Sequence, residues 1–201
     1  MSTKAKSILE LARYKGFIRA RDLIQHAIPT VYLGRLTHLG LLERVSRGLY
    51  RLPDSEVTEH YSLAEVAAKV PGGVVCLLSA LNFHIIGTQQ PHEVWLAIPE
   101  KARQPRLKSP RLRLFRFSKS AFTEGVETHV IQGIPVKVYS PAKTVADCFK
   151  YRNKIGLDVA MEALRESLRS RKCTREDIHR YARICRVWNV MRPYLEMEAS
   201  S

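Results

Sequence analysis

The 201-residue chain has no run of about eighteen apolar residues, the length that lets a helix cross a bilayer. Its first residues, MSTKAKSILE, lack the apolar core of a signal peptide, so the expectation is a soluble, cytoplasmic protein with no membrane partner. Cysteine is scarce. Cys76, Cys148, Cys173 and Cys185 form no C-x-x-C pair and sit in apolar or helical contexts, which argues against a disulfide-stapled scaffold and for reduced thiols. The signatures of common catalytic sites are missing too. His26, His38, His60, His84, His92, His129 and His179 are scattered without an H-E-x-x-H pair, and no glycine-rich phosphate loop occurs. Ser79 lies in LLSALNF rather than in a G-x-S-x-G elbow and reads as a helix cap. Asp147, in TVADCF, has no second acid at the spacing of a two-metal centre and reads as a helix-surface or locally hydrogen-bonded carboxylate. No catalytic residue, metal or cofactor is expected. Acidic residues are the last shortage: 19 Asp and Glu stand against 33 Lys and Arg, a net charge of +14. Such a balance favours polyanionic partners, nucleic acid first among them.

What is present begins with three short amphipathic segments. Ile8, Leu9, Leu11 and Ala12 give a helical stripe behind Ser2 and Thr3, closed by Gly16. After the short apolar link Phe17-Ile18, RARDLIQHA places Leu23, Ile24 and Ala27 on one face until Pro29 breaks it. Pro29-Thr30 then opens PTVYLGRLTHLG, which stops at Gly40. Tyr32, Leu36 and Leu39, with Leu33 beside them, form the expected core stripe of this third helix. Thr30, Gly34 and Thr37 lie in one row of the other side, and Val31, Arg35 and His38 in the next, small or hydrogen-bonding residues suited to base edges in a DNA groove.

LLERVSRGLYRL follows. Leu41-Leu42 and Val45, then Leu49-Tyr50 and Leu52, are β-compatible runs joined through Ser46-Arg47-Gly48. Three helices and a two-stranded ribbon in this order predict a winged helix-turn-helix. Arg47 falls at the wing tip and Arg44 and Arg51 on its flanks, where phosphates would be met. The candidate DNA-binding residues are therefore Thr30, Val31, Gly34, Arg35, Thr37, His38, Arg44, Arg47 and Arg51.

PDSEVTEHYS, Pro53 to Ser62, breaks the apolar pattern and reads as a linker. The expected domains are 1–55, the winged helix, and 59–201, a mixed α/β domain. Within the latter, SLAEVAAKV and ALNFHII read as short helices. EVWLAIP, RLRLFRFS, VETHVIQ and IPVKVYS read as strands, and Ala142 to Tyr151, Leu157 to Arg169 and Thr174 to Arg186 as helices. The fold class is thus α+β, with a small sheet and C-terminal helices. Lys101 to Lys119 carries eight basic residues and no acid. It is open to three readings: phosphate contact, an acidic partner protein, or a solvated loop.

GLLERVSRGLYRLP, Gly40 to Pro53, following YLGRLTHL, resembles the N-terminal winged helix of the AbiEi-type antitoxins, regulators of bacterial type IV toxin–antitoxin and abortive-infection systems. GIPVKVYSPAKTVADCFKYRNKIG, Gly133 to Gly156, resembles the strand-then-helix signature of that family's second domain. The resemblance implies a DNA-binding antitoxin that autorepresses its operon by binding double-stranded operator repeats and opposes a nucleotidyltransferase-like toxin in phage defence. Two alternatives stay open on the residues alone: a DNA-targeted nuclease, and a stand-alone winged-helix transcription factor with an effector-binding domain.

Overall fold

The computed structural model describes residues 2–54, 60–107 and 109–198. The core of the expected linker, 55–59, and Lys108 of the basic stretch lie outside the described residues. The chain divides into two compact units, Met1–Pro71 with Val130–Val136, and Gly72–His129 with Lys137–Ser201.

In the first unit α1 (Thr3–Lys15) starts at Ser2, whose side chain accepts from the Ala5 amide, and ends at Gly16 with φ 75°. The link after it is a strand, β1 (Phe17–Arg19), too short for its period to show in sequence. Helices α2 (Ala20–Gln25) and α3 (Val31–His38) follow, then β2 (Glu43–Ser46) and β3 (Leu49–Arg51). The sheet order is β1-β3-β2, all antiparallel, so the expected two-stranded ribbon has a third strand.

Three residues expected on the buried faces are outside the core: Ala27, which is exposed, Leu39 and Ile24. Leu39 is 66% and Ile24 is 71% exposed. Both lie where a helix ends in a left-handed turn. At the end of α3, Gly40 takes φ 71°, and the amides of Gly40 and Leu41 bond back to Thr37 and Leu36. At the end of α2, Ala27 takes φ 52°, and the amides of Ala27 and Ile28 bond back to Ile24 and Leu23. This paired bonding reverses the chain and satisfies the last carbonyls. Burial passes to the far side of each turn, to Leu42 and Ile28, which join Ala5, Ile8, Ala12, Ile18, Leu23, Leu33 and Leu36 in one core.

Helix α4 (Tyr61–Lys69), read from sequence as the start of the second domain, belongs to the first unit. Tyr61 is the reason: its ring stacks on Phe17 at 5.2 Å and lies under the Arg51 guanidinium at 5.0 Å. These contacts carry the first unit past residue 55.

The second unit holds most of a mixed sheet of order β6-β5-β4-β8-β7, built from β4 (Val74–Val75), β5 (Val94–Pro99), β6 (Leu112–Phe117), β7 (Val126–Ile131) and β8 (Ile134–Tyr139), of which Val130–Ile131 and Ile134–Val136 are grouped with the first unit. Strands β4 and β5 are antiparallel, while β4–β8 and β5–β6 are parallel. The helices are α5 (Leu77–Phe83), α6 (Lys119–Thr123), α7 (Pro141–Lys150), α8 (Arg152–Ile155), α9 (Leu157–Arg169), α10 (Arg175–Ile184) and α11 (Trp188–Met197). Ser79 does not cap: it lies inside α5, accepts from the Trp95 amide at 2.9 Å, and so ties helix to sheet. Helix α7 is buried on all sides from Ala142 to Phe149 and packs against α5, α9, α10 and α11.

Helix α10 opens with a capping box. The Thr174 hydroxyl accepts from the Asp177 amide, and the Asp177 carboxylate accepts from the Thr174 amide at 3.0 Å and hydroxyl at 2.6 Å. Thr174→Ala is expected to lower stability by about 1 kcal/mol in urea titrations at neutral pH. The two bonds from Thr174 hold the Asp177 carboxyl below its ordinary value of 3.8. Its contribution is therefore present above 3.8 and lost as pH falls through the depressed value, so the variant's deficit should shrink in acid.

Candidate nucleic-acid interface

The first unit presents α3 with two sides of different character. Leu33 and Leu36 are buried and Tyr32 is half-buried, which anchors the helix. Thr30, Val31, Gly34, Arg35 and His38 are exposed. Val31, Gly34, Arg35 and His38 stand at spacings of three, four and seven and so share one face. Thr30 precedes the helix, is exposed, and makes no capping hydrogen bond with its side chain. Thr37 differs from the sequence expectation: it is half-buried and its hydroxyl donates to the Leu33 carbonyl at 2.8 Å, a bond inside the helix. The Arg35 guanidinium lies 5.6 Å from the Tyr32 ring, held along the helix by an aromatic neighbour one turn back in its own packing layer.

The wing is the β2–β3 hairpin. Ser46 pairs with Leu49, and Arg47-Gly48 makes the reversal, with Gly48 at φ 74°. A register shift between Arg44 and Ser46 interrupts the β2–β3 pairing just before the tip. Arg47 is exposed at that tip, and exposed Arg44 lies behind it, its Nε 3.4 Å from the Ser46 carbonyl.

Arg51 departs from its expected role as a phosphate anchor. It sits opposite Glu43 in the β2–β3 register, pairs with that carboxylate at 2.6 Å, and covers the Tyr61 ring. Its charge is spent inside the unit, holding wing to α4. Residues 43, 51 and 61 are distant enough in sequence that only the strand register reveals the pairing. The sequence reading also passed over Arg21, Gln25 and His26, exposed on α2 and in its turn into α3. The apolar stripe of α2 gives no sign of them, though the first helix of such a pair crosses the DNA backbone.

The Lys101–Lys119 stretch is divided by the fold. Arg116 donates to the carbonyls of Glu100 and Ala102 at 2.7 and 2.9 Å, pinning the turn after β5. Arg113 lies 4.5 Å over the Trp95 ring and 3.5 Å from Glu93. Lys101, Arg103, Arg106, Arg111 and Lys119 are exposed.

Asp147 is not on a helix surface. It is fully buried with Lys143, the two joined at 2.6 Å, and the ammonium also faces the rings of Tyr139 at 4.1 Å and Phe117 at 4.9 Å. The Cys185 thiol donates to its other oxygen at 3.3 Å. Burial pushes the Asp147 carboxyl above its ordinary value, against the pull of Lys143. Burial, with Asp147 next, also raises the Cys185 thiol to about 12. All four cysteines are free thiols. Among the described residues no group of three or more His, Cys, Asp or Glu is placed to hold a metal ion, and no helix is long and apolar enough to cross a membrane.

Over most of its length the chain is similar in fold to the RV2827C protein of Mycobacterium tuberculosis, whose crystal structure matches with a TM-score of 0.63 at 16% identity, covering 98% of this chain and 78% of that one. No curated protein matches the chain. Residues 6–53, all within the winged helix, match the family model described as a transcriptional regulator, the AbiEi antitoxin. The winged helix of this chain therefore carries the sequence signature of the AbiEi antitoxins, a family of transcriptional regulators.

Proposed function

We propose that this chain is a DNA-binding transcriptional regulator that serves as the antitoxin of a type IV toxin–antitoxin system, represses its own operon, and opposes a nucleotidyltransferase-type toxin. One observation carries the DNA half: α3 turns Thr30, Val31, Gly34, Arg35 and His38 outward in the same unit as a hairpin tipped by an exposed arginine. Helix three would enter the major groove, with Arg35 and His38 as base readers and Arg44 and Arg47 as phosphate anchors. The net charge of +14 would draw the chain to duplex DNA over a range set by salt. The toxin half is supported by the family match over residues 6–53.

Anisotropy titrations of the full chain on duplex from upstream of its own gene, at two salt concentrations, test the first half. Arg47→Ala is expected to weaken binding to all duplexes alike and to reduce the slope of log affinity against log salt by about one. An unchanged slope and affinity would remove the wing from the interface. Incubation of the same protein with plasmid and magnesium or manganese separates a regulator, which leaves DNA intact, from a nuclease. For the second half, co-expression with the neighbouring gene should restore growth that this gene alone arrests.

A further inference from the structure

Gly34 is unexplained by the fold. It lies in the middle of α3, its backbone angle is ordinary for any residue, and a Cβ built on it meets nothing within 4 Å. Neither the backbone nor the packing calls for glycine, and glycine costs a helix about 1 kcal/mol relative to alanine. Val31, one turn earlier on the same face, is 56% exposed, a β-branched residue in a short helix with its side chain in solvent. The two make an apolar notch beside Arg35 and His38, the hydrogen-bonding groups of that face.

We infer that this notch receives the 5-methyl group of a thymine, so that the preferred duplex carries a thymine next to the bases met by Arg35 and His38. The inference rests on the DNA-binding reading above and deepens it. The major-groove edges of guanine, adenine and cytosine present only donors and acceptors there, for which Val31 and Gly34 offer no partner, whereas thymine alone adds a methyl group. The missing Gly34 side chain lets the helix backbone come close enough for that methyl to reach Val31. The polyanion that brings it is matched by exposed Arg35, Arg44 and Arg47 in the same unit.

The test selects from a random duplex library with the full chain and remakes the enriched duplex with deoxyuridine in place of each thymine in turn, which removes only the methyl. At one thymine the substitution is expected to weaken binding about four-fold, the worth of one buried methyl. Val31→Ala, an exposed change that leaves folding intact, should weaken the thymine duplex and abolish the difference between thymine and uracil at that position. Gly34→Ala should raise the melting temperature and lower affinity for the selected duplex. No methyl-sensitive position, or full sensitivity retained in Val31→Ala, overturns the thymine notch while leaving DNA binding in place. Unchanged affinity in Gly34→Ala overturns the close approach. Failure to enrich any duplex would instead overturn the DNA-binding reading, and the notch with it.

Discussion

Asp147→Ala is expected to cost the fold about 3–5 kcal/mol, because it strands the Lys143 ammonium at a site where both partners are fully buried. The double change Lys143→Met with Asp147→Leu removes both charges, keeps similar volume, and should recover most of the loss. A buried pair stabilises against its own broken form far more than against an apolar replacement. Urea titration of the two variants beside the natural chain measures this, and a loss under about 1 kcal/mol in Asp147→Ala would mean that water reaches Lys143. The pH dependence follows from burial, which raises the Asp147 carboxyl above its ordinary 3.8. A carboxyl raised in the folded state contributes stability that is full below its unfolded value and fades as pH rises through the folded one. The double variant should lack that decline.

Arg35→Ala is expected to weaken binding to the selected duplex by about ten- to a hundred-fold, while barely changing affinity for unrelated duplex. The side chain is exposed and its ring contact with Tyr32 lies on the helix surface, so melting should shift little. Arg35→Lys should restore only part of the preference, since an ammonium cannot make the two parallel bonds a guanidinium makes to one base. Arg51→Ala supplies the contrast. Its guanidinium already holds Glu43 and covers Tyr61, so its loss belongs in the melting temperature rather than in the salt slope. The two variants would thus separate recognition from support, a distinction that charge alone does not make. An Arg35→Ala protein with undiminished preference would take α3 out of the groove.

Helix α3 is legible in the sequence because its pattern is local. Leu33 and Leu36 recur at helical spacing, Pro29-Thr30 and Gly40 bracket them, and the outward residues follow from the inward ones. The hairpin was equally local, since Arg47-Gly48 between two apolar runs admits little else. Apolar periodicity misplaces Leu39, one residue past α3, and Ile24, in the last turn of α2, because both helices end in left-handed turns beyond which burial passes to the next apolar residue.

By itself the sequence determined the longer elements in their order, though not β1, α6, α8 or α11, together with the winged helix, the outward face of α3 and the basic character of the chain, because these depend on residues within a turn or two of one another. Only the tertiary structure decided which charges are free. It buried Asp147 against Lys143 and Cys185, closed Arg51 onto Glu43 and Tyr61, fixed Arg116 to two carbonyls, and gave α4 to the first unit. Apart from the Lys143–Asp147 pair, one helical turn apart, those partners come from separate elements. Whether a charge is solvated, stacked or paired depends on strand register and helix packing, which no local pattern encodes.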